Sequence, residues 1–333
     1  MTIAMSIVTL RSGEQVSATT VRAPDSEWAS RLEVMLQHKG DPWNWQNSEL
    51  LRCNVGLEAR FFVLHRSAAP FANIMLIETA GVGILGHVWT EPADRGGGAS
   101  SILMDMLLRD FQTRGGRTLF LGTEYNSDPW HYYHRRGFKP VEPASGYMVL
   151  YLQSPEDFAL TWFRAADAVV EPLDWPHWPS SVPLFLGAFP GAVRIAATQL
   201  IGRRSPEGPM LPILREERRR QTASEPGSAR VLRAADGAAV LGFASWHADS
   251  FWPEGHVVDL YCHPQWWHRA DELLAALPWP KTGRLVAYAD ADLVPKRAAL
   301  ERFGFKSVAL LPRWVAVDAA RMSFADVAVY ARA

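Results

Sequence analysis

The chain is poor in several features that would settle its class at once, and each shortage excludes something. Among 333 residues there are two cysteines, Cys53 and Cys262, too few and too far apart for a disulfide framework, so a reducing compartment is expected. The formal net charge is −1, which leaves no basic field for a nucleic acid, and no such partner is expected. Residues 1–10 carry no charged region ahead of their short apolar stretch, and Arg11 follows it. That pattern fits neither a signal peptide nor a membrane span, so a cytoplasmic location and no membrane partner are expected. No H-x-x-x-H or C-x-x-C spacing occurs, and His131 and His134 share a helix face without a third ligand, so no metal is expected. No G-x-S-x-G elbow exists and Cys53 has no histidine paired with it in sequence, which speaks against a nucleophilic mechanism.

What is present reads as globular, with 48% hydrophobic and 21% charged residues and length for about two domains. The most informative stretch is Arg95-Gly96-Gly97-Gly98-Ala99-Ser100-Ser101, between a strand-like run at 84–90 and a helix-like run with Ile102, Leu103, Met106, Leu107 and Phe111 at 3–4 spacing. Three glycines there let backbone N–H groups at a helix N-terminus approach an anion that any Cβ would hold away, and Arg95 adds charge at the mouth. A tight turn explains the same glycines. The G-x-G-x-x-G spacing and the G-K-[ST] ending both read as absent, which disfavours a dinucleotide or a magnesium nucleotide and leaves a pantetheine pyrophosphate.

This loop resembles the acyl-CoA loop, Q/R-x-x-G-x-G/A, of the GNAT superfamily of N-acetyltransferases. Arg95 and Gly98 fall on its first two fixed positions, and Ser100 stands where the family has Gly or Ala. Farther on, Asn126-Ser127-Asp128-Pro129-Trp130-His131-Tyr132-Tyr133-His134-Arg135-Arg136-Gly137-Phe138 resembles the family's N-x-x-A-x-x-x-Y-x-K-x-G-F signature, matched by Asn126, Tyr133, Arg135, Gly137 and Phe138. Pro129 replaces the Ala, which a first helical turn tolerates. The resemblance implies an α/β (α+β) fold: a mixed, mostly antiparallel sheet with a central splayed parallel strand pair, flanked by helices. It also implies acetyl-CoA as co-substrate and a small-molecule amine as acceptor, in a monomer or homodimer.

Taken in order, 25–38 is an amphipathic helix with Asp25 or Ser26 as N-cap. Trp43 and Trp45 fall in a loop before a short helix at 47–53. Strands at 59–65, 73–79 and 84–90 form a meander, a helix spans 101–113, and a strand at 118–122 runs parallel to the one before that helix. Strands at 141–152 close a first domain, 1–153. The remainder, 154–333, repeats the plan: strands at 239–246, 257–263 and 284–289, and Arg302-Phe303-Gly304-Phe305 echoing Arg135-Arg136-Gly137-Phe138. Its chemistry is worn away, since Gln265–Asp271 replaces the glycine loop, Leu300 replaces Tyr133 and Leu293 replaces Asn126. The two halves therefore read as tandem GNAT-like domains with a degenerate second copy. The run Arg215–Arg220 reads as a solvated helix face.

For the chemistry, an N–H of Trp89 or Thr90 is the oxyanion-donor candidate, and Tyr133 is the general acid the resemblance implies, with Asn126 in support. A phenol near 10 protonating a thiolate near 8.5 works uphill by about 2 kcal/mol. Tyr133 as a packing residue that orients the pantetheine arm is the alternative. Glu124 is the first choice of general base, ahead of Glu91 and His87, and water is a fourth possibility. The CoA-binding set is Trp89, Thr90, Arg95, Gly96, Gly97, Gly98, Ala99, Ser100, Ser101, Asn126, Tyr133 and Arg135. Two other functions fit the same cleft: a non-catalytic acyl-CoA sensor, and an acyltransferase or decarboxylase acting on a carrier protein.

Overall fold

The computed structural model describes residues 2–332. Its first elements are β1 (Thr2–Thr9), β2 (Gln15–Arg22), α1 (Ser26–Leu36), α2 (Trp43–Arg52), β3 (Glu58–Arg66), β4 (Ala69–Thr79), β5 (Val82–Thr90), α3 (Ala99–Thr113), β6 (Thr118–Gly122), α4 (Asp128–Arg135), β7 (Lys139–Pro140) and β8 (Tyr147–Tyr151). There follow α5 (Pro155–Trp162), β9 (Ala168–Pro172), α6 (His177–Leu186), β10 (Val193–Ile195), β11 (Leu200–Ile201), α7 (Glu207–Thr222), β12 (Ala229–Ala234), β13 (Val240–Ala248) and β14 (Gly255–Cys262). The last are α8 (Ala270–Ala275), β15 (Arg284–Asp290), α9 (Val294–Arg302), β16 (Lys306–Ala316) and β17 (Phe324–Arg332). The chain divides into two compact units, Met1–Leu121 with Leu150–Pro155, and Gly122–Val149 with Glu156–Ala333.

One sheet has eight strands in the order β1-β2-β3-β4-β5-β6-β8-β7, and another has seven in the order β16-β17-β15-β14-β13-β12-β9. Each is mixed and contains a parallel pair, β5 with β6 and β14 with β15. The crossover that makes each pair parallel is a helix-bearing segment, as a strand-helix-strand unit requires. The mixed α/β fold with helices flanking two sheets is the one expected.

Local chemistry accounts for the element ends. Asp25 caps α1 by accepting the N–H groups of Glu27 and Trp28 at 3.0 and 3.2 Å. Helix α1 buries Trp28, Ala29, Leu32, Met35 and Leu36, the 3–4 face of the sequence pattern. Gly115, at φ 79°, ends α3 in the left-handed conformation that glycine adopts without strain. Pro129 sits in the first turn of α4, where its missing N–H costs nothing.

Two readings need correction. Trp43 and Trp45 belong to helix α2 rather than to a loop, because the helix begins directly after Pro42, four residues before the expected start. The hairpin β1–β2 was unexpected, although the burial along 15–22 follows strand spacing at Val16 and Ala18. The β5 core-side run is nearly continuous in apolar residues, and β3 and β4 are buried almost throughout. The 215–220 charge run does lie on a largely solvated stretch of α7, with Arg219 paired to Glu216 and Glu225.

Candidate active site

In the first unit the parallel register of β5 and β6 covers Val82↔Thr118, Gly83↔Leu119 and Ile84↔Phe120, and then ends. The other edge of β5 stays paired with β4 as far as Thr90↔Ala72. The two strands thus part beyond Ile84, the splay that the resemblance implies. A bulge in β5 contributes, where the register jumps between Asn73↔Trp89 and Met75↔Gly86 and His87 takes φ 51°.

Alternation along β5 separates the two oxyanion-donor candidates. The Glu91 N–H bonds to the Phe71 carbonyl at 2.8 Å, so it points at β4. The Trp89 N–H, two residues back, points the same way, and the Thr90 N–H points to the opposite edge. Thr90 is therefore the donor that can serve the open side, and Trp89 is not. The Trp89 ring instead stacks on His38 at 3.8 Å between centroids, and its Nε1 donates to Glu91 at 3.3 Å.

After β5 the glycine loop leads into α3. Gly96 and Gly98 have φ of 79° and 87°, and Gly98 is the N-cap, a residue with no side chain to cap the helix, with no acid in the first turn. Ala99 is buried, and Ser101 and Ile102 donate to the Gly98 carbonyl at 3.0 and 3.1 Å. Arg95 is exposed and leans back on β5. Its guanidinium lies over the Trp89 ring, 4.9 Å from the centroid, and its Nε donates to the Thr90 carbonyl at 3.1 Å. The cation beside Gly98 is Arg11, whose side chain comes within 3.3 Å of where a Gly98 Cβ would be and whose N–H bonds to the Gly97 carbonyl at 3.0 Å. Arg11 was missed because the β1–β2 hairpin was not recognised; its turn signal was Ser12-Gly13. Arg66 ties this hairpin to the loop's approach, bonding Glu14 at 2.6 and 2.9 Å and Asp94 at 2.8 Å.

His87, the third candidate base, is buried in the bulge of β5. Burial, with Lys39 and His38 nearby, pushes it down to about 3, and its Nε2 is bonded to Gln46 at 2.9 Å. The G-x-G-x-x-G spacing does occur at Gly81, Gly83 and Gly86, but in the β4–β5 hairpin and strand β5, with no helix after it.

In the second unit, Glu124 and Asn126 are exposed in the turn before α4, and Asn126 adopts φ 60°. Asn tolerates that region better than other side-chain-bearing residues, which gives Asn126 a backbone reason to be there. Ser127 caps α4, accepting from Trp130 at 3.3 Å. Tyr133 is buried against Phe138, with ring centroids 5.9 Å apart. Burial, with Tyr132 and Glu207 adding to it, raises the phenol above its ordinary value, so transfer of its proton to a thiolate is more uphill than composition alone suggests. Arg135 is exposed. His131 and His134 pack on Trp130, His134 stacked at 5.0 Å, and among the described residues no cluster suited to a metal occurs. Tyr147, another residue the sequence did not single out, lies against Gly122, where a Cβ would be 3.3 Å from its ring.

The second parallel pair has a different fate. Its register runs from Gly255↔Arg284 to Val258↔Ala287. Just beyond it Asp259 accepts the N–H groups of Ala196 and Ala197 at 2.6 and 3.2 Å, and Asp290, ending β15, accepts those of Ala192 and Val193 at 2.7 and 3.0 Å. Lys296 is fully buried and donates to the Val193 carbonyl at 2.8 Å. Burial raises Asp259 to about 6, against the pull of Lys296 and the two amides, and lowers Lys296. The segment around β10 is thus fastened at the carboxyl ends of β14 and β15. Asp271, the acid of the segment that replaces the glycine loop, is paired with Arg302 at 2.7 and 2.8 Å, and Arg269 with Asp167 and Glu272.

No family model and no curated protein matches the sequence. Solved structures show similarity over about half of the chain or less. An N-acetyltransferase from Staphylococcus aureus Mu50 is 18% identical, over 50% of this chain and 98% of that one, with a TM-score of 0.38. A Salmonella typhimurium protein solved with its cofactor acetyl-CoA is 16% identical, over 50% and 92%, with a TM-score of 0.38. An aminoglycoside 6'-N-acetyltransferase in complex with coenzyme A is 16% identical, over 41% and 97%, with a TM-score of 0.33. Among the described residues no helix is long and apolar enough to cross a membrane.

Proposed function

We propose that the chain is an acyl-CoA-dependent N-acyltransferase of GNAT type, with residues 1–153 as its acyltransferase domain and 154–333 as a degenerate copy. The observation that carries this reading is the end of β5: a strand that leaves its parallel partner after Ile84, followed by a glycine loop whose N-cap to α3 is Gly98, a residue with no side chain, at φ 87°. Phosphate oxygens suit such amides, and Arg11 supplies the adjacent charge. Acetyl-CoA is the co-substrate this reading calls for and a small-molecule amine the acceptor, with no metal. A cytoplasmic location belongs to the same reading.

The amine nitrogen attacks the thioester carbonyl, the Thr90 N–H stabilises the oxyanion, and the C–S bond breaks as the sulfur gains a proton. Tyr133 fits that last step as a donor that burial keeps protonated at every physiological pH. Its raised pKa means that it acts while the sulfur is still developing charge and still bonded by a hydrogen bond, rather than by releasing a free phenolate. Glu124, or water, receives the ammonium proton.

Tyr133→Phe tests the reading, because it keeps the ring and removes the hydroxyl. With free thiol followed on a verified amine acceptor, kcat is expected to fall by roughly 10²–10⁴ while the calorimetric CoA affinity stays level. Unchanged turnover would remove Tyr133 from the chemistry. Tight CoA binding by the parent with no turnover on any amine would favour the sensor.

A further inference from the structure

The second unit contains a pocket of about 220 Å³ whose walls include Glu142, Tyr147, Arg203, Arg204, Asp318 and Arg321. At roughly 30 Å³ per water, that volume holds a group of several heavy atoms. Its polar groups are unequally engaged. Arg203 donates to the Leu186 carbonyl at 2.8 Å, and the Asp318 carboxylate accepts Met322 and Ser323 N–H groups at 3.0 and 2.8 Å. Glu142 Oε1 accepts the Ala319 N–H at 3.0 Å. The guanidinium groups of Arg204 and Arg321 have no ion pair or hydrogen bond among the described residues.

Two uncommitted guanidinium groups and one half-used carboxylate around the same cavity match a ligand with both charges. A guanidinium offers a planar fork to carboxylate or phosphate oxygens, and a carboxylate oxygen accepts from an ammonium. The pocket also adjoins the turn at 122–124 that carries Glu124. Tyr147 covers Gly122 at the end of β6, and a Cβ on Gly146 would run into the Thr123 carbonyl oxygen, so this wall is held against that strand end. Tyr133 and Tyr147 both lie in the field of Glu207.

We propose that this pocket binds the acyl acceptor and that the acceptor carries an oxyanion, a carboxylate or a phosphate, as well as its amine, with Arg204 and Arg321 taking the anion and Glu142 facing the ammonium. That the occupant is an acyl acceptor rests on the acyltransferase reading above. Arg204 and Arg321 belong to residues 154–333, so the degenerate half supplies the selectivity of the active one.

The test uses the full chain and probes matched in pairs, with and without the acid: phenylalanine and phenethylamine, lysine and cadaverine, O-phosphoethanolamine and ethanolamine. Saturation-transfer NMR is expected to show the acidic members binding at least about tenfold more tightly, and the amino acids against phosphoethanolamine tell carboxylate from phosphate. R204Q/R321Q, two exposed positions, is expected to abolish the difference with calorimetric CoA affinity unchanged, and Glu142→Gln to weaken binding of both members of a pair. Equal binding of the acid-free amines, no binding by any probe, or a preference that survives R204Q/R321Q would overturn the proposal. Acid-selective binding without any acyl transfer would count against the acyltransferase reading and leave the anion site standing.

Discussion

The two parallel strand pairs of this protein are built alike and finished differently. Matching the last registered pair of each sheet, Ile84↔Phe120 and Val258↔Ala287, sets Leu85 opposite Asp259 and Thr123 opposite Asp290. Where one pair continues into an apolar residue and a small hydroxyl, the other continues into two buried acids that grip backbone amides of the segment 192–197. The helices that follow preserve the common plan: Phe138 N–H bonds to the Tyr133 carbonyl at 3.2 Å, and Phe305 N–H to the Leu300 carbonyl at 3.1 Å, with Gly137 and Gly304 both at positive φ. A splayed strand pair leaves polar backbone with no partner, so it needs an occupant. The second pair has taken one from its own chain.

The sharpest way to break that second arrangement is Lys296→Met. It leaves Asp259 and Asp290 buried with only backbone amides facing their charge, and is expected to cost about 3–5 kcal/mol of stability, read by urea unfolding with CoA affinity intact. A cost under 1 kcal/mol would mean that the triad does not hold the segment. Gly98→Asp strikes the first arrangement instead. It places a side chain at φ 87° and a negative charge where phosphate would sit, and is expected to raise the CoA Kd by roughly 10²-fold or more, about 3 kcal/mol. Changing Arg269 should leave Kd untouched. Two equivalent CoA sites per chain in the calorimeter would erase the contrast between the halves.

The smallest effect concerns His87 at the β5 bulge. Its folded pKa of about 3 lies below the unfolded value near 6.5, so the unfolded chain binds the extra proton and stability falls as pH drops through that window, by about 1.4 kcal/mol per unit. His87→Asn, which tolerates the positive φ, is expected to reduce the stability lost between pH 7 and pH 5 by about 2 kcal/mol. His247 and His263, each lowered to about 4 by burial, keep the same sign in that variant, whereas Asp259 works in the opposite direction between about 4 and 6. An unaltered pH dependence would show that His87 is already protonated in the fold.

Much of this was legible because it depends on short-range patterns. The strands β3 to β6, the helix after the glycines and the capped helix ending at Gly137 each announce themselves within about fifteen residues, through periodicity and glycine or proline at the ends. What escaped depends on partners distant in sequence. The sequence offers Arg95 as charge at the loop's mouth but not its place over the Trp89 ring and on the Thr90 carbonyl, nor the approach of Arg11 to Gly98 across a hairpin with weak alternation. Asp259, Asp290 and Lys296 lie in ordinary strand and helix contexts, and nothing local says that all three meet the backbone of 192–197. The choice between the Trp89 and Thr90 amides required one hydrogen bond, from Glu91 to Phe71, that no single stretch of sequence encodes.

The tether from Arg11 N–H to the Gly97 carbonyl, backed by Arg66 on Glu14 and Asp94, has a thermodynamic meaning. Glycine loses more conformational freedom on ordering than any other residue, and three in a row make a floppy receptor unless something outside the loop restrains them. Here the restraint comes from a hairpin nearly ninety residues earlier in the chain, so the loss of freedom is charged to folding and not to ligand capture. Removing the first fourteen residues would therefore leave the loop's own sequence whole and, on the proposed reading, still make association with a phosphate entropically harder.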